Sequence, residues 1–300
     1  MISNVDSALL LVNPNAGGGK ALRAAAAAMH QLETAGIKVR KHISSSQLDL
    51  VDAVSAATES RIYLLAGDGS LRAAAELIVK QQLDIQLVPL PAGRGNDFCA
   101  VIGIDSNITR AIAKSLLNPE LLHLDVISIN QQTIALGAVS IGLDAAAARI
   151  ALEMQDRGIK WLRGAPLYLV AAIKALAKWQ TAQIVVQLDD GEVDSKDIWL
   201  FVVSNSGQFG GGMKISPHSN LQDGLLEVVS VGRVSKLDFL FTLPKVFSGK
   251  HLNHPKLQLM TMRKVLIESK LDLMAFADGE PVGQTPLNIA VLPAALKIIK

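Results

Sequence analysis

The chain has 300 residues, half of them hydrophobic and 19% charged, with a formal net charge of +2. That is apolar material for one large or two ordinary domains with a substantial core, and so small a charge argues against nucleic acid as an obligate partner. One cysteine, Cys99, excludes an internal disulfide framework and a cysteine-rich zinc site and suits a reducing cytoplasm.

Met1 to Leu10 has no basic segment and no long apolar run, so no signal peptide is expected. No stretch of ~18 apolar residues predicts a transmembrane helix. Ser7 to Asn13 reads as a buried first strand, stopped by Pro14 and followed by the glycine-rich loop Asn15 to Lys20. A helix from Lys20 to Thr34 places Leu22, Ala25, Met29 and Leu32 on one face and ends at Gly36. Ile37 to Ile43 predicts a second strand, with Ser44 to Ser46 as turn or N-cap for a helix near Leu48 to Ala57. The apolar run Arg61 to Ala66 ends in Gly67-Asp68-Gly69-Ser70, and a helix follows to Lys80. Asp84 to Pro89 is a fourth strand, and Ile108 to Leu117 a helix closing this half. Repeated strand–loop–helix units imply a parallel sheet with helices on both faces and ligands at the carboxyl ends of its strands.

After His123 the texture changes. Leu124 to Ile129 and Thr133 to Val139 read as a hairpin, Asp144 to Gln155 and Pro166 to Lys178 as helices. Strands recur at Gln183 to Leu188, Asp197 to Ser204, Leu225 to Val231, Leu257 to Glu268, Leu271 to Ala277 and Leu287 to Val291. The expected division is an α/β domain over 1–124 and a β-rich domain over 125–294, with 295–300 returning to the first.

Several loops could carry chemistry. The P-loop fails, because Pro14 and Ala21 stand where it needs Gly and Ser or Thr. The Rossmann fingerprint fails at Arg72. A carboxylate between two glycines makes better sense with a metal between it and a phosphate, so Asp68 is expected beside a nucleotide's phosphates, acting through Mg²⁺. The loop ending at Lys20 offers backbone N–H groups at a helix start, or is an ordinary tight turn; Gly93-Arg94-Gly95-Asn96 is balanced in the same way. Asn205 to Gly212 suits close approach of a ligand or another loop, or is a flexible hairpin. Asp223 with neighbouring carbonyls is a small metal site or a β-turn. Asp278-Gly279-Glu280 puts two carboxylates at a strand end, a general base or a solvated turn. The six histidines read as surface or incidental, and Cys99 as core. From Arg233 to Lys270, eight Lys/Arg face only Asp238 and Glu268, interleaved with Leu237, Phe239, Leu240, Phe241, Leu243, Val246 and Phe247. This hints at an anionic bilayer, but for the apolar residues a core helix ending at Pro244 is the favoured reading.

Taken in order, Asn13 to Lys20, Ala66 to Ser70, Pro91 to Phe98, Gly210-Gly211-Gly212, Pro217, Asp223-Gly224-Leu225 and Asp278-Gly279-Glu280 resemble the motifs of bacterial lipid kinases with a diacylglycerol kinase catalytic domain. The resemblance spans nearly the whole chain. Ala66 stands where that family has Gly, Ser70 where Thr is usual, and Arg72-Ala73 where Asn-Glu is frequent. It implies a phosphofructokinase-like, Rossmann-like α/β domain and a C-terminal β-sandwich, with ATP in the cleft and lipid arriving from the second domain. By similarity, Asn13, Gly17, Lys20, Ser44, Gly67, Asp68, Gly69, Ser70, Leu71, Arg72, Ala73, Arg94 and Asn96 border ATP. Asp223, with Asn220 and Leu225, would hold a structural Mg²⁺; Glu280 or Asp278 would be the base, and Asp68 would join the metal network. The implied protein is an ATP- and Mg²⁺-dependent lipid kinase, cytoplasmic and transiently at the membrane's inner face. The rivals are an NAD kinase and a lipid-binding protein with a decayed kinase site.

Overall fold

A computed structural model describes residues 6–158 and 165–300 of the chain. Met1 to Val5, on which part of the leader reading falls, lie outside the described residues. The chain divides into two compact units, one running to Leu124 and including Ala294–Lys300, the other Asp125–Pro293.

The first unit alternates strand and helix: β1 (Ser7–Val12), α1 (Lys20–Thr34), β2 (Lys38–Ile43), α2 (Gln47–Ser55), β3 (Arg61–Ala66), α3 (Asp68–Lys80), β4 (Gln86–Pro91), α4 (Asp97–Val101) and α5 (Ile108–Leu117). The strands lie parallel in the order β2-β1-β3-β4, and Lys297 and Ile298 of the last strand add a parallel partner to β4. β1 and β3 are continuous apolar runs because both faces are covered; Ala8 to Val12 and all of β3 are buried. β2 is the edge, and its Lys38, Arg40 and Lys41 are exposed, which protects it from pairing with another chain. β4 begins two residues later than expected. α4 has only five residues, too few to show a helical period.

The second unit is antiparallel apart from its helices. Its elements are β5 (Leu121–Ile129, entering from the first unit), β6 (Thr133–Ala135), β7 (Ala138–Gly142), α6 (Leu143–Asp156), α7 (Ala165–Lys178), β8 (Ala182–Leu188), β9 (Val193–Ser204), β10 (Leu226–Gly232), α8 (Lys236–Thr242), 3-10 turns at Leu243–Ser248 and Lys250–Asn253, β11 (Leu257–Met262), β12 (Lys264–Glu268), β13 (Met274–Ala277), β14 (Glu280–Gln284) and β15 (Leu287–Ile299). Strand order is β14-β13-β7-β9-β8-β12-β15, with β10 bridging β9 and β11 and β5 paired with β6. One apolar cluster fills its interior, including Ile127, Val139, Phe201, Val228, Val265 and Ile289.

Three expectations need correction. The strand expected over Thr133 to Val139 is broken after Ala135, because the amides of Leu136 and Gly137 turn away to Asp278. The strand expected over Leu257 to Glu268 is two, kinked at Arg263, where Asp189 Oδ1 accepts the N–H groups of Arg263 and Lys264 at 2.8 and 2.9 Å. The helix expected as core and ending at Pro244 stops at Thr242 and buries none of its own residues, while Leu243 and Val246 just beyond it join the core with Phe239 packed against them.

Candidate functional site

In the first unit the loops gather at the carboxyl ends of β1, β3 and β4. β1 runs into Asn13, whose Nδ2 donates to Ser70 Oγ at 2.8 Å and whose Oδ1 accepts the Asn15 N–H at 3.0 Å. Gly17, Gly18 and Gly19 are left-handed in succession (φ 58°, 68° and 87°), a run that a side chain would strain. α1 then starts without a side-chain cap, and so does α3, capped only by the backbone at Gly67. Ser46, Asn107 and Ser235 cap α2, α5 and α8 with side-chain oxygens, while α4 and α6 also start without a side-chain cap. β1 and β3 are neighbours, so two uncapped helix starts, each with partial positive charge and spare N–H groups, follow adjacent strands.

The loops are held at glycine distance. A Cβ on Gly17 would lie 2.2 Å from Ala92 O, and one on Gly93 would lie 2.5 Å from Gly67 Cα. Asp68 fastens them: Oδ2 accepts the Asn96 N–H at 2.7 Å, and Oδ1 faces the Phe98 N–H at 3.4 Å. Burial, and then the nearby Asp97, raise the Asp68 pKa above the ordinary carboxylate range. Asn96 is left-handed (φ 56°) and trades two hydrogen bonds with the backbone of Gly93. Lys20 Nζ donates to Pro91 O at 2.9 Å, and Ser44 Oγ to Val12 O at 3.1 Å.

Gly67, Gly69 and Ala73 are half-buried and Arg94 is exposed. Leu71 is buried, its amide closes the first α3 bond to Gly67 O, and it lines a small pocket together with Gly67, Asp68 and Asn96. Arg72 is also buried, 3.6 Å from Glu76. Burial pushes the Cys99 thiol up to about 12, so it packs as core and is no nucleophile.

In the second unit Asp278 and Glu280 part company. Asp278, left-handed at φ 50°, accepts the N–H groups of Leu136, Gly137 and Ala138 at 2.7, 2.9 and 3.1 Å. Glu280 opens β14 and is half-buried. In the turn before β10, Asn220 Oδ1 accepts Gln222 N–H and Asp223 Oδ1 accepts Leu225 N–H. Gly224 gives its N–H to Asp125 Oδ2 at 2.7 Å. Among the described residues no three His, Cys, Asp or Glu side chains cluster as a metal site. The turn instead offers one exposed carboxylate among backbone carbonyls, an all-oxygen set that fits a hard divalent cation completed by water.

Asp125 lies outside the sequence expectation, and Asn205 opens the glycine loop that the sequence singles out. Both are buried, and Asn205 Nδ2 donates to Asp125 O at 2.8 Å and Leu136 O at 3.2 Å, tying the Asp223 turn to the segment that Asp278 holds. A lone carboxylate inside the apolar strand Leu124 to Ile129 is the signal that points to Asp125. The glycine loop Asn205 to Gly212 is explained by close approach of another loop: a Cβ on Gly207 would lie 2.7 Å from Ser216 O.

The second unit also encloses an apolar cavity, about 760 Å³ including its open mouth, lined by Tyr168, Phe209, Phe239, Leu243, Val246 and Leu257 among others. Its polar members are few. Asp144, bonded to Ser140, has its pKa pushed up to about 6 by burial. His251, one of the histidines read as surface or incidental, is buried; Nε2 donates to Ile215 O at 3.0 Å, and burial lowers its pKa.

Comparison with known proteins matches residues 7–129 to the diacylglycerol kinase catalytic domain and residues 137–300 to the YegS C-terminal NAD kinase beta sandwich-like domain. A diacylglycerol kinase of Mycobacterium tuberculosis is 27% identical over 296 residues, 97% of this chain and 94% of its own. The crystal structure of a diacylglycerol kinase from Bacillus anthracis superposes with a TM-score of 0.76 at 19% identity, covering 99% of this chain and 97% of that one. An NAD kinase from Archaeoglobus fulgidus, crystallised with ATP, gives a TM-score of 0.53 at 12% identity over 98% and 92% of the two chains, a likeness of fold alone.

Proposed function

The chain belongs to the lipid kinases that join a diacylglycerol kinase catalytic domain to a YegS-type C-terminal domain, and from that premise we propose that it transfers the γ-phosphoryl group of ATP to a lipid hydroxyl. The observation that carries this reading is the pair of uncapped helix starts, α1 and α3, on glycine loops after neighbouring parallel strands. Their free amides suit a chain of phosphates. Asn13, Ser70 and Asn96 set the loops' shape, and Arg94, exposed beside them, adds a cation.

Glu280 is the general base. It takes the proton of the lipid hydroxyl as that oxygen bonds to the γ-phosphorus and the bond to the β-phosphate oxygen breaks, releasing ADP. Asp278 is a positioning residue, since its oxygens are committed to three amides. Asp223, with carbonyls at Asn220 and Leu225, would hold a structural Mg²⁺ in the second unit. Asp68 would act through Mg²⁺ in the first, where that ion would supply charge neutralisation at the phosphates. The apolar cavity of the second unit suits one hydrocarbon chain of the acceptor, diacylglycerol or a related lipid. ATP and lipid would meet at the cytoplasmic face of a membrane.

The test is a γ-labelled ATP transfer assay over a bacterial lipid extract, with Mg²⁺ present and the product identified by mass. A phosphorylated lipid is expected. Label on NAD, or no label on any lipid, would overturn the reading in favour of an NAD kinase or a non-catalytic lipid-binding protein.

A further inference from the structure

The segment from α8 through the first 3-10 turn has apolar residues on two opposite sides. Phe239, Leu243 and Val246, spaced by four and three, face inward; they line the cavity, and the Phe239 ring lies 5.7 Å from that of Trp199. Leu237, Leu240, Phe241 and Phe247 form a second stripe facing out, and Leu237 and Phe241 are 68% and 72% exposed. Four large apolar side chains within eleven residues of surface are an unpartnered patch.

The surrounding charge says what covers it. Arg233, Lys236, Lys245, Lys250 and Lys256 surround the stripe in sequence, against one acid, Asp238, which lies 3.0 Å from His254 Nε2. Lys245 and Lys250 are exposed and make no ion pair among the described residues. Protein interfaces are depleted of lysine at their centres. A short segment carrying Leu and Phe among lysines is instead the composition of an element lying in a membrane interface. No helix among the described residues is long and apolar enough to cross a bilayer, so contact by these helices would be peripheral.

We propose that α8 and the 3-10 turn after it dock the second unit on an anionic lipid surface, with Leu237, Leu240, Phe241 and Phe247 entering the interface and the neighbouring lysines on lipid phosphates. The inward stripe lines the apolar cavity, so docking sets the cavity's own wall against the bilayer from which a lipid chain would enter. This deepens the lipid-kinase reading, but its test needs no turnover, so the two fail separately.

The test is sedimentation of the full chain with vesicles of phosphatidylcholine, alone or with about a quarter phosphatidylglycerol. Wild type should bind the anionic vesicles, and binding should weaken as salt rises to about 0.5 M. Leu237→Asp with Phe241→Asp should weaken it at least tenfold, roughly the effect of withdrawing one large apolar side chain. Both residues are exposed, so circular dichroism and the melting temperature should be unchanged. Lys245→Glu with Lys250→Glu should lower binding and flatten its salt dependence. Wild type that ignores anionic vesicles, or an apolar double variant that binds like wild type, would overturn the proposal. So would a lipid-free dimer in sedimentation velocity that the same double variant dissolves, because a second copy would then cover the patch. If vesicle binding behaves as stated but no lipid is phosphorylated, docking stands and the kinase reading alone falls.

Discussion

Asp68 takes the main-chain N–H of Asn96 at 2.7 Å, so the first residue of α3 fixes the loop that follows β4. One carboxylate therefore sets the shape of two loops as well as carrying charge. Asp68→Ala leaves the amides of Asn96 and Phe98 without their acceptor and should cost about 1–3 kcal/mol in thermal unfolding. Asp68→Asn keeps one acceptor oxygen but loses the charge. It should cost less stability than Asp68→Ala, since only one N–H then faces the new NH₂, and lower phosphoryl transfer by roughly a hundredfold or more. An Asn variant with wild-type turnover would reduce Asp68 to a fastener.

The contact of Gly93 with Gly67 sets a steric limit. Both sides of it are backbone, so neither can swing away from a methyl group as a side chain would. Gly93→Ala, meeting Gly67 Cα at 2.5 Å, should cost about 1–3 kcal/mol, and Gly67→Ala, meeting Gly93 Cα at 3.1 Å, should cost less. Calorimetry on both variants tests the order; equal melting temperatures for wild type and Gly93→Ala would show that the loops part freely.

What could be read in the sequence follows from how local each cause is. β1 and β3 were legible because burial on both faces makes them unbroken apolar runs, and the Asp68 turn because its strand, glycines and helix are contiguous. Asp125 was not, nor was the tie that Asn205 makes, because their partners lie 99 and 69 residues away, and no spacing rule reaches that far. Asp278 stands out in the sequence as a carboxylate at a strand end, but not its hold on three amides, which lie 140 to 142 residues away. α8 failed for another reason. Helical periodicity marks apolar stripes but does not say which faces the core, and this segment has two.

Asp144 gives the protein a signed response to pH. Its folded pKa is raised to about 6 from 3.8 by burial. The neutral form is the one the fold tolerates, so its contribution is full below about pH 4. It is lost as pH rises through 6, because the unfolded chain ionises first. The loss should approach about 3 kcal/mol, two pKa units' worth. Asp144→Asn should flatten the unfolding free energy between about pH 4 and 6, read from denaturant melts at each pH. A profile as steep as the wild type's would show that Asp144 is not the group responsible.

Asp278 and Glu280 should separate in a paired experiment, because the carboxylate of Asp278 is committed to the amides of Leu136, Gly137 and Ala138. In Asp278→Asn the single oxygen can serve Gly137 and Ala138 or Leu136, and the new NH₂ then faces an N–H, donor against donor. That variant should lose about 1–3 kcal/mol of stability, with turnover falling as the strand end it anchors shifts. Glu280→Gln removes the proton acceptor without touching those amides. Its melting temperature and KM for ATP should match wild type while kcat falls by about a hundredfold or more. If instead Glu280→Gln turns over normally and Asp278→Asn is folded but dead, the base is Asp278, and the three amides serve to orient a reactive carboxylate.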